Sequence, residues 1–161
     1  MTPPPPFTNM SNIEVRLNSS QDKHISNLSV RQRDEILLTD PDLGPFTADI
    51  TVFIVLLEAD EAIACGGLRL VDQEASSSVA EIKRVFVVPE ARGQANGISD
   101  FFLGQLELYA VKAGWNTLRL QTSKNMLAAN RFYEKHGYGV IANYGEYVNS
   151  SSTVSYEKII V

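Results

Sequence analysis

Cysteine is nearly absent from this chain of 161 residues: Cys65 stands alone, which excludes an internal disulfide framework and a cysteine cluster for structural zinc. Histidine is equally scarce, with only His24 and His136, so the expectation is that no metal is bound. Long hydrophobic runs are missing. The longest apolar stretch, residues 50–57, falls far short of the roughly 20 residues a membrane-spanning helix needs. A surplus of positive charge is missing too: 19 Asp and Glu against 14 Lys and Arg leave a net charge of −5, which gives no global electrostatic reason to bind nucleic acid or an anionic membrane. The opening MTPPPPFTNM has neither the basic nor the apolar region of a secretory signal, so a cytoplasmic location is expected.

What is present is an ordinary globular composition, 44% hydrophobic and 20% charged. The expected organisation is a flexible Pro-rich tail over residues 1–10 and one domain over residues 11–161. Such a domain buries roughly 70% of the surface its unfolded chain exposes. Residues 13–17 (IEVRL) alternate as a half-buried strand, and residues 19–22 (SSQD) offer caps for a polar helix ending near Leu38. Residues 51–57 (TVFIVLL) read as a central strand. A second strand follows over 62–71, with Gly66 and Gly67 marking a bulge or a close backbone approach. A third runs over 79–88 and stops at Pro89. Apolar residues at Ile98, Phe101, Phe102, Leu106 and Tyr109 then define one face of a long helix closed by Gly114. Residues 117–121 form a strand, 126–136 a helix, and 138–142 and 153–161 two final strands. The order βαβββαβαββ predicts an α/β fold with a mixed, mostly antiparallel central sheet, flanking helices and a central βαβ unit.

The stretch most suggestive of chemistry is residues 85–97, VFVVPEARGQANG: a strand, a proline stop, an Arg/Gly-rich loop and a helix start. A helix amino terminus offers about four unpaired N–H groups and roughly half a positive charge, and so attracts phosphate. Small residues at Gly93, Ala95 and Gly97 let the backbone approach such a group closely. The loop is not a P-loop, since no Gly-Lys-Ser/Thr follows, and its glycine spacing is not that of a dinucleotide fingerprint. Taken alone it fits an ordinary tight strand-to-helix turn equally well.

In context, Arg92-Gly93-Gln94-Ala95-Asn96-Gly97 resembles the pyrophosphate-binding loop of the GNAT superfamily of acyl-CoA N-acyltransferases, Arg/Gln-x-x-Gly-x-Gly/Ala, with Ala95 where the first glycine usually stands. Residues 129–138, ANRFYEKHGY, resemble the late helix of that family, Ala-x-x-Leu/Phe-Tyr-Glu-Lys-x-Gly-Phe. The asparagine often found ahead of it is Met126 here, with Asn125 and Asn130 as nearby substitutes. The likeness runs from about Ser11 to the carboxyl terminus and includes the strand order. A narrower likeness, through residues 81–87 (EIKRVFV), 145–147 and 155–158, is to small members acting on amino-acid-like or other small amines.

The resemblance implies transfer of the acetyl group of acetyl-CoA, used as co-substrate, to a primary amine of a small molecule through a ternary complex. Alternatives are a protein lysine or N-terminal acetyltransferase, or a non-catalytic CoA-binding regulatory module. It also implies site residues. An alkylamine is mostly protonated near neutral pH, so a base must take a proton, directly or through water; Glu81, eleven residues before Arg92, is the candidate. Val85, Phe86 and Val87 supply oxyanion donors and pair with the pantetheine arm. Arg92, Gly93, Gln94, Ala95, Asn96, Gly97, Ile98 and Asn130 bind the cofactor, and Arg92 or Arg131 meets its 3′-phosphate. Tyr133 protonates the leaving thiolate. Outside the resemblance, Cys65 is expected to pack rather than react, and His136 to cap a helix carboxyl end. By strand alternation, Lys83 and Arg84 are expected on opposite faces, leaving one to meet a substrate carboxylate. The loops at 39–49 and 143–152, with Tyr144, Glu146 and Tyr147, are expected to select the acceptor. The last strand, 153–161, is a candidate for pairing in a homodimer.

Overall fold

Alternation at residues 13–17 produces β1 (Ile13–Asn18), and the Asp22 side chain accepts the His24 N–H at 2.8 Å to cap α1 (Lys23–Leu37). The computed structural model describes residues 10–18, 22–38, 50–71, 78–93 and 97–161; the Pro-rich start, the 39–49 loop and Gln94, Ala95 and Asn96 lie outside them. The apolar run becomes β2 (Val52–Glu58), which turns through Ala59 and Asp60, both with positive φ, into β3 (Glu61–Leu70). Then come β4 (Val79–Val87), a 3-10 turn at Pro89–Ala91, α2 (Ile98–Lys112), β5 (Thr117–Ser123), α3 (Leu127–Lys135), β6 (Gly139–Ile141) and β7 (Thr153–Ile159). The element order is the one expected, with boundaries moved by a residue or two. Among the described residues, no helix is long and apolar enough to cross a membrane.

These strands make one seven-stranded sheet in the order β1-β2-β3-β4-β5-β7-β6, mixed α/β and mostly antiparallel. The β4–β5 pair alone is parallel, because α2 carries the chain back between them as a crossover. Alternation along each strand builds two cores. On one face Phe53, Val55, Leu57, Cys65, Phe86 and Val88 pack with Ile25 and Leu28 of α1. On the other, Ile54, Leu56, Leu68, Ile82, Leu118 and Leu120 meet Phe102, Leu103 and Leu106 of α2.

Two expectations about strands are revised. β7 is not a free edge: β5 pairs along its length and β6 covers Ser155 to Glu157 on its other side. The argument for dimerisation through that strand therefore loses its footing there. Nor do Lys83 and Arg84 point to opposite faces. The β3–β4 register slips between Cys65 and Gly67, so that Gly66 faces both Arg84 and Val85, and Arg84 adopts a left-handed φ of 58°. The extra residue interrupts the alternation. Arg84 lies over the Phe53 ring, bonds Ser29 of α1, and shares the α1 face with Lys83. A Cβ at Gly66 would stand 3.0 Å from the Phe102 ring of α2, so a larger residue at this bulge would push that ring aside.

Candidate active site

The site begins where the sheet opens. β4 and β5 are paired only from Val79↔Thr117 to Ile82↔Leu120; beyond that β5 continues along β7 while β4 continues along β3. Among the described residues, the β5 side of β4 is thus without a strand partner from Lys83 to Val87. Right-handed twist and the bulge at Arg84 both favour this divergence. Into the opening project a cleft of about 540 Å³ and the residues around it: Val85, Phe86 and Val87 from β4, Gly93 and Gly97 from the loop, and Tyr133 from α3.

The loop behaves as its composition suggests. Pro89 starts the 3-10 turn, Gly93 takes φ 107°, and Gly97 takes φ 65° as the residue before α2. That left-handed φ at Gly97 aims the first turn of α2 at the cleft with no side chain of its own in the way. Ile98, expected at the site, does not line the cleft: its side chain turns into the core at 3% exposed. Arg92 lines the cleft but is already engaged: its Nε donates to the Val87 carbonyl at 2.7 Å, its Nη2 pairs with Glu35 at 2.8 Å, and the guanidinium lies over Phe86. It ties β4, α1 and the loop together. Two further exposed cations line the cleft, Arg131 and Lys135 of α3, one helical turn apart. On the α2 side, Asp100 is held at 2.7 Å by His136, the residue that caps α3.

Tyr133 is 7% exposed, packed edge-on against Phe132 and Tyr138, and part of the cleft wall. Desolvation raises its pKa well above that of an ordinary phenol, so at neutral pH the hydroxyl keeps its proton and is available as a hydrogen-bond donor.

Two expected site residues are not brought to the cleft. Glu81 is 1% exposed on the α1 face of β4, 2.8 Å from Lys83 Nζ and 3.8 Å from Arg69. It belongs to a charged cluster on that face completed by Arg119, Glu157 and Tyr144, with Arg119 Nε 2.6 Å from Glu157. The Tyr144 ring lies under the Arg119 guanidinium, and its hydroxyl is pushed far up in pKa by burial and then by the adjacent Glu81 charge. Asn130 is likewise turned away. Its amide donates to the Ser123 carbonyl at 3.1 Å and its Oδ1 accepts from Tyr156, so it joins α3 to the end of β5. Cys65 is packed as expected, its thiol pushed up to about 12 by burial.

The structure adds residues that sequence reasoning missed. Gln32, Glu35 and Ile36 of α1 form one wall, and Phe102 and Leu103 of α2 another. The 32/35/36 spacing marks one helix face, but nothing local says that this face meets a cleft rather than the core. The wall is apolar along most of its length, amide-rich at the start of α2 and cationic at Arg131 and Lys135. That donor set suits a long ligand with an uncharged arm and a phosphorylated end.

A family model described as an acetyltransferase (GNAT) domain matches residues 49–140. An IAA acetyltransferase from Azospirillum brasilense is 26% identical over 133 residues, 83% of this chain and 81% of that protein. Among solved structures, a Klebsiella pneumoniae protein named for acyl-CoA N-acyl transfer superposes with a TM-score of 0.75 at 23% identity, covering 92% of this chain and 98% of that one. A GNAT family acetyltransferase from Elizabethkingia anophelis, solved with acetyl-CoA bound, gives 0.68 at 17% identity over 92% and 99%.

Proposed function

Because the chain belongs to the GNAT acetyltransferase family, we propose that it transfers the acetyl group of acetyl-CoA to a primary amine of a small molecule, by direct attack in a ternary complex. The observation that carries this reading is the convergence of three distant segments, Val85–Val87, the loop ends Gly93 and Gly97, and Tyr133, on the opening between β4 and β5. When bound, acetyl-CoA supplies a thioester carbonyl for the amine to attack.

The chain's own residues then have separable tasks. Backbone N–H groups at Val85 to Val87 that lack a β5 partner face negative charge growing on the carbonyl oxygen, fixed in place before the reaction. Gly93, Gly97 and, outside the described residues, Gln94, Ala95 and Asn96 hold the pyrophosphate, with Arg131 and Lys135 near its charged end. Tyr133 donates a hydrogen bond to the departing sulfur; with its pKa raised by burial, it steadies the thiolate until a proton arrives. Glu81 does not touch the cleft, so it receives the amine proton through water or the adjoining Tyr144 hydroxyl. Asn130 acts by anchoring α3 rather than by contacting CoA. Supporting a small acceptor are two neighbouring sets of ion pairs on the α1 face, Arg69 and Lys83 with Glu81, and Arg119 with Glu157, which leave charge there largely compensated.

The test is thiol release from acetyl-CoA against amino acids, polyamines, aminoglycosides and peptides, alongside Glu81→Gln. A small amine is expected to release CoA above background hydrolysis, and Glu81→Gln to lower kcat by about 10²-fold while CoA affinity holds. Release with peptides alone moves the acceptor to protein. Unchanged kcat in Glu81→Gln removes the base role, and CoA binding without any turnover leaves only a binding module.

A further inference from the structure

Gln32 sits in the middle of α1, 6% exposed, among the residues that line the cleft. Its Nε2 donates to the Val85 carbonyl at 2.9 Å. That bond fixes which end of the amide is which, because only the nitrogen end can donate to a carbonyl. The other end, Oε1, is fully buried and has no hydrogen-bond partner among the described residues. A buried acceptor left unmet is costly and uncommon, and in a cleft wall it is satisfied when a ligand brings a donor.

The chemistry of that donor follows from the position. Val85 lies in the part of β4 whose β5 side has no strand partner among the described residues. A peptide-like ligand arm lying there would ordinarily pair its N–H with such a carbonyl. Gln32 has taken the Val85 carbonyl, and in its own Oε1 it carries an acceptor of the same kind with no partner among the described residues. We propose that Gln32 is a recognition residue for the acyl-carrying arm, its Oε1 accepting an amide N–H of the pantetheine chain. This rests on the cleft being the CoA site. The pantetheine arm carries two secondary amides; the adenosine 3′,5′-bisphosphate end of CoA carries none, and its phosphates belong with the loop and α3 cations instead. The assignment therefore separates the two halves of one ligand.

Calorimetry with CoA and with adenosine 3′,5′-bisphosphate tests it, using the full chain, Gln32→Met and Gln32→Asn. Methionine keeps the shape but loses both polar atoms. Asparagine keeps the amide but withdraws it by one methylene, and guards against a folding defect in the first variant. Both substitutions are expected to weaken CoA by about tenfold, the scale of one buried hydrogen bond, and to leave adenosine 3′,5′-bisphosphate within about twofold. Equal CoA affinity in wild type and both variants would overturn the inference while leaving the CoA site intact. A parallel loss for both ligands would overturn it too, since a general distortion of the cleft does not distinguish the arm. Failure of the unmodified chain to bind CoA would overturn the reading of the cleft itself.

Discussion

Tyr133 belongs both to the aromatic packing and to the cleft wall. Its ring completes an aromatic set with Phe132, Tyr138 and Tyr156, and the residue is part of the cleft lining. Tyr133→Phe keeps the ring and removes only the donor, so packing loss is small. The expected outcome is a fall in kcat of about 10²-fold with the KM for acetyl-CoA nearly unchanged, measured by steady-state thiol release. A KM change with kcat preserved would assign Tyr133 to binding instead. The motif position of this tyrosine was readable in ANRFYEKHGY. The same motif gave no hint that Asn130, three residues earlier, spends its amide on Ser123 and Tyr156. A local pattern specifies which residue is present, but a side chain's partners come from strands far away in sequence.

At the scale of elements, the amino end of α2 and the divergence of β4 from β5 make the site. Gly97 is needed for its left-handed φ of 65°, and a Cβ there would also stand 3.3 Å from Met10 Cε. Gly97→Ala is expected to cost about 1–2 kcal/mol from the left-handed backbone alone. In a domain of this size that lowers Tm by roughly 3 °C per kcal/mol. CoA affinity should fall with it, because the first turn of α2 is re-aimed. Scanning calorimetry and CoA titration check both; an unchanged Tm would mean that the turn relaxes without this φ. The helix, its glycine start and its Gly114 end were legible from periodicity and end signals. The role of α1 was not. Gln32, Glu35 and Ile36 look like any polar-apolar helix face until the β4 opening is placed beside them.

Across the whole molecule, burial has collected proton-holding groups. Desolvation raises the pKa of Cys65 from 9.0 to about 12, and raises Tyr133, Tyr138, Tyr144 and Tyr156 above 10.0, with Glu107, Glu81 and Glu134 adding to the last three. Each group binds its proton more tightly folded than unfolded. Their contribution to stability is therefore intact below pH 9, where both states are protonated, and is lost as pH rises through the folded values. Denaturant unfolding is expected to show stability insensitive to these groups at neutral pH and falling steeply above about pH 10. Phenolate absorbance should appear with unfolding rather than before it, and Cys65 should resist thiol reagents until then. Phenolate absorbance in the folded protein equivalent to more than two of the six tyrosines would contradict this picture.

By itself the sequence determined the element order, the family and the glycine-flanked turn that leads into α2. These follow from period, end signals and short-range spacing, which act between near neighbours. Scarcity of cysteine, histidine and long apolar runs narrowed the field in the same local way. Only the tertiary structure decided which residues share the cleft. The bulge opposite Gly66 put Lys83 and Arg84 on one face, the crossover through α2 made β4 and β5 parallel, and their divergence opened the sheet. It also placed Glu81 among cations away from the cleft and brought Gln32 to it. Strand pairing and register join segments dozens of residues apart, and alternation along one strand cannot show where a bulge or a divergence will interrupt it.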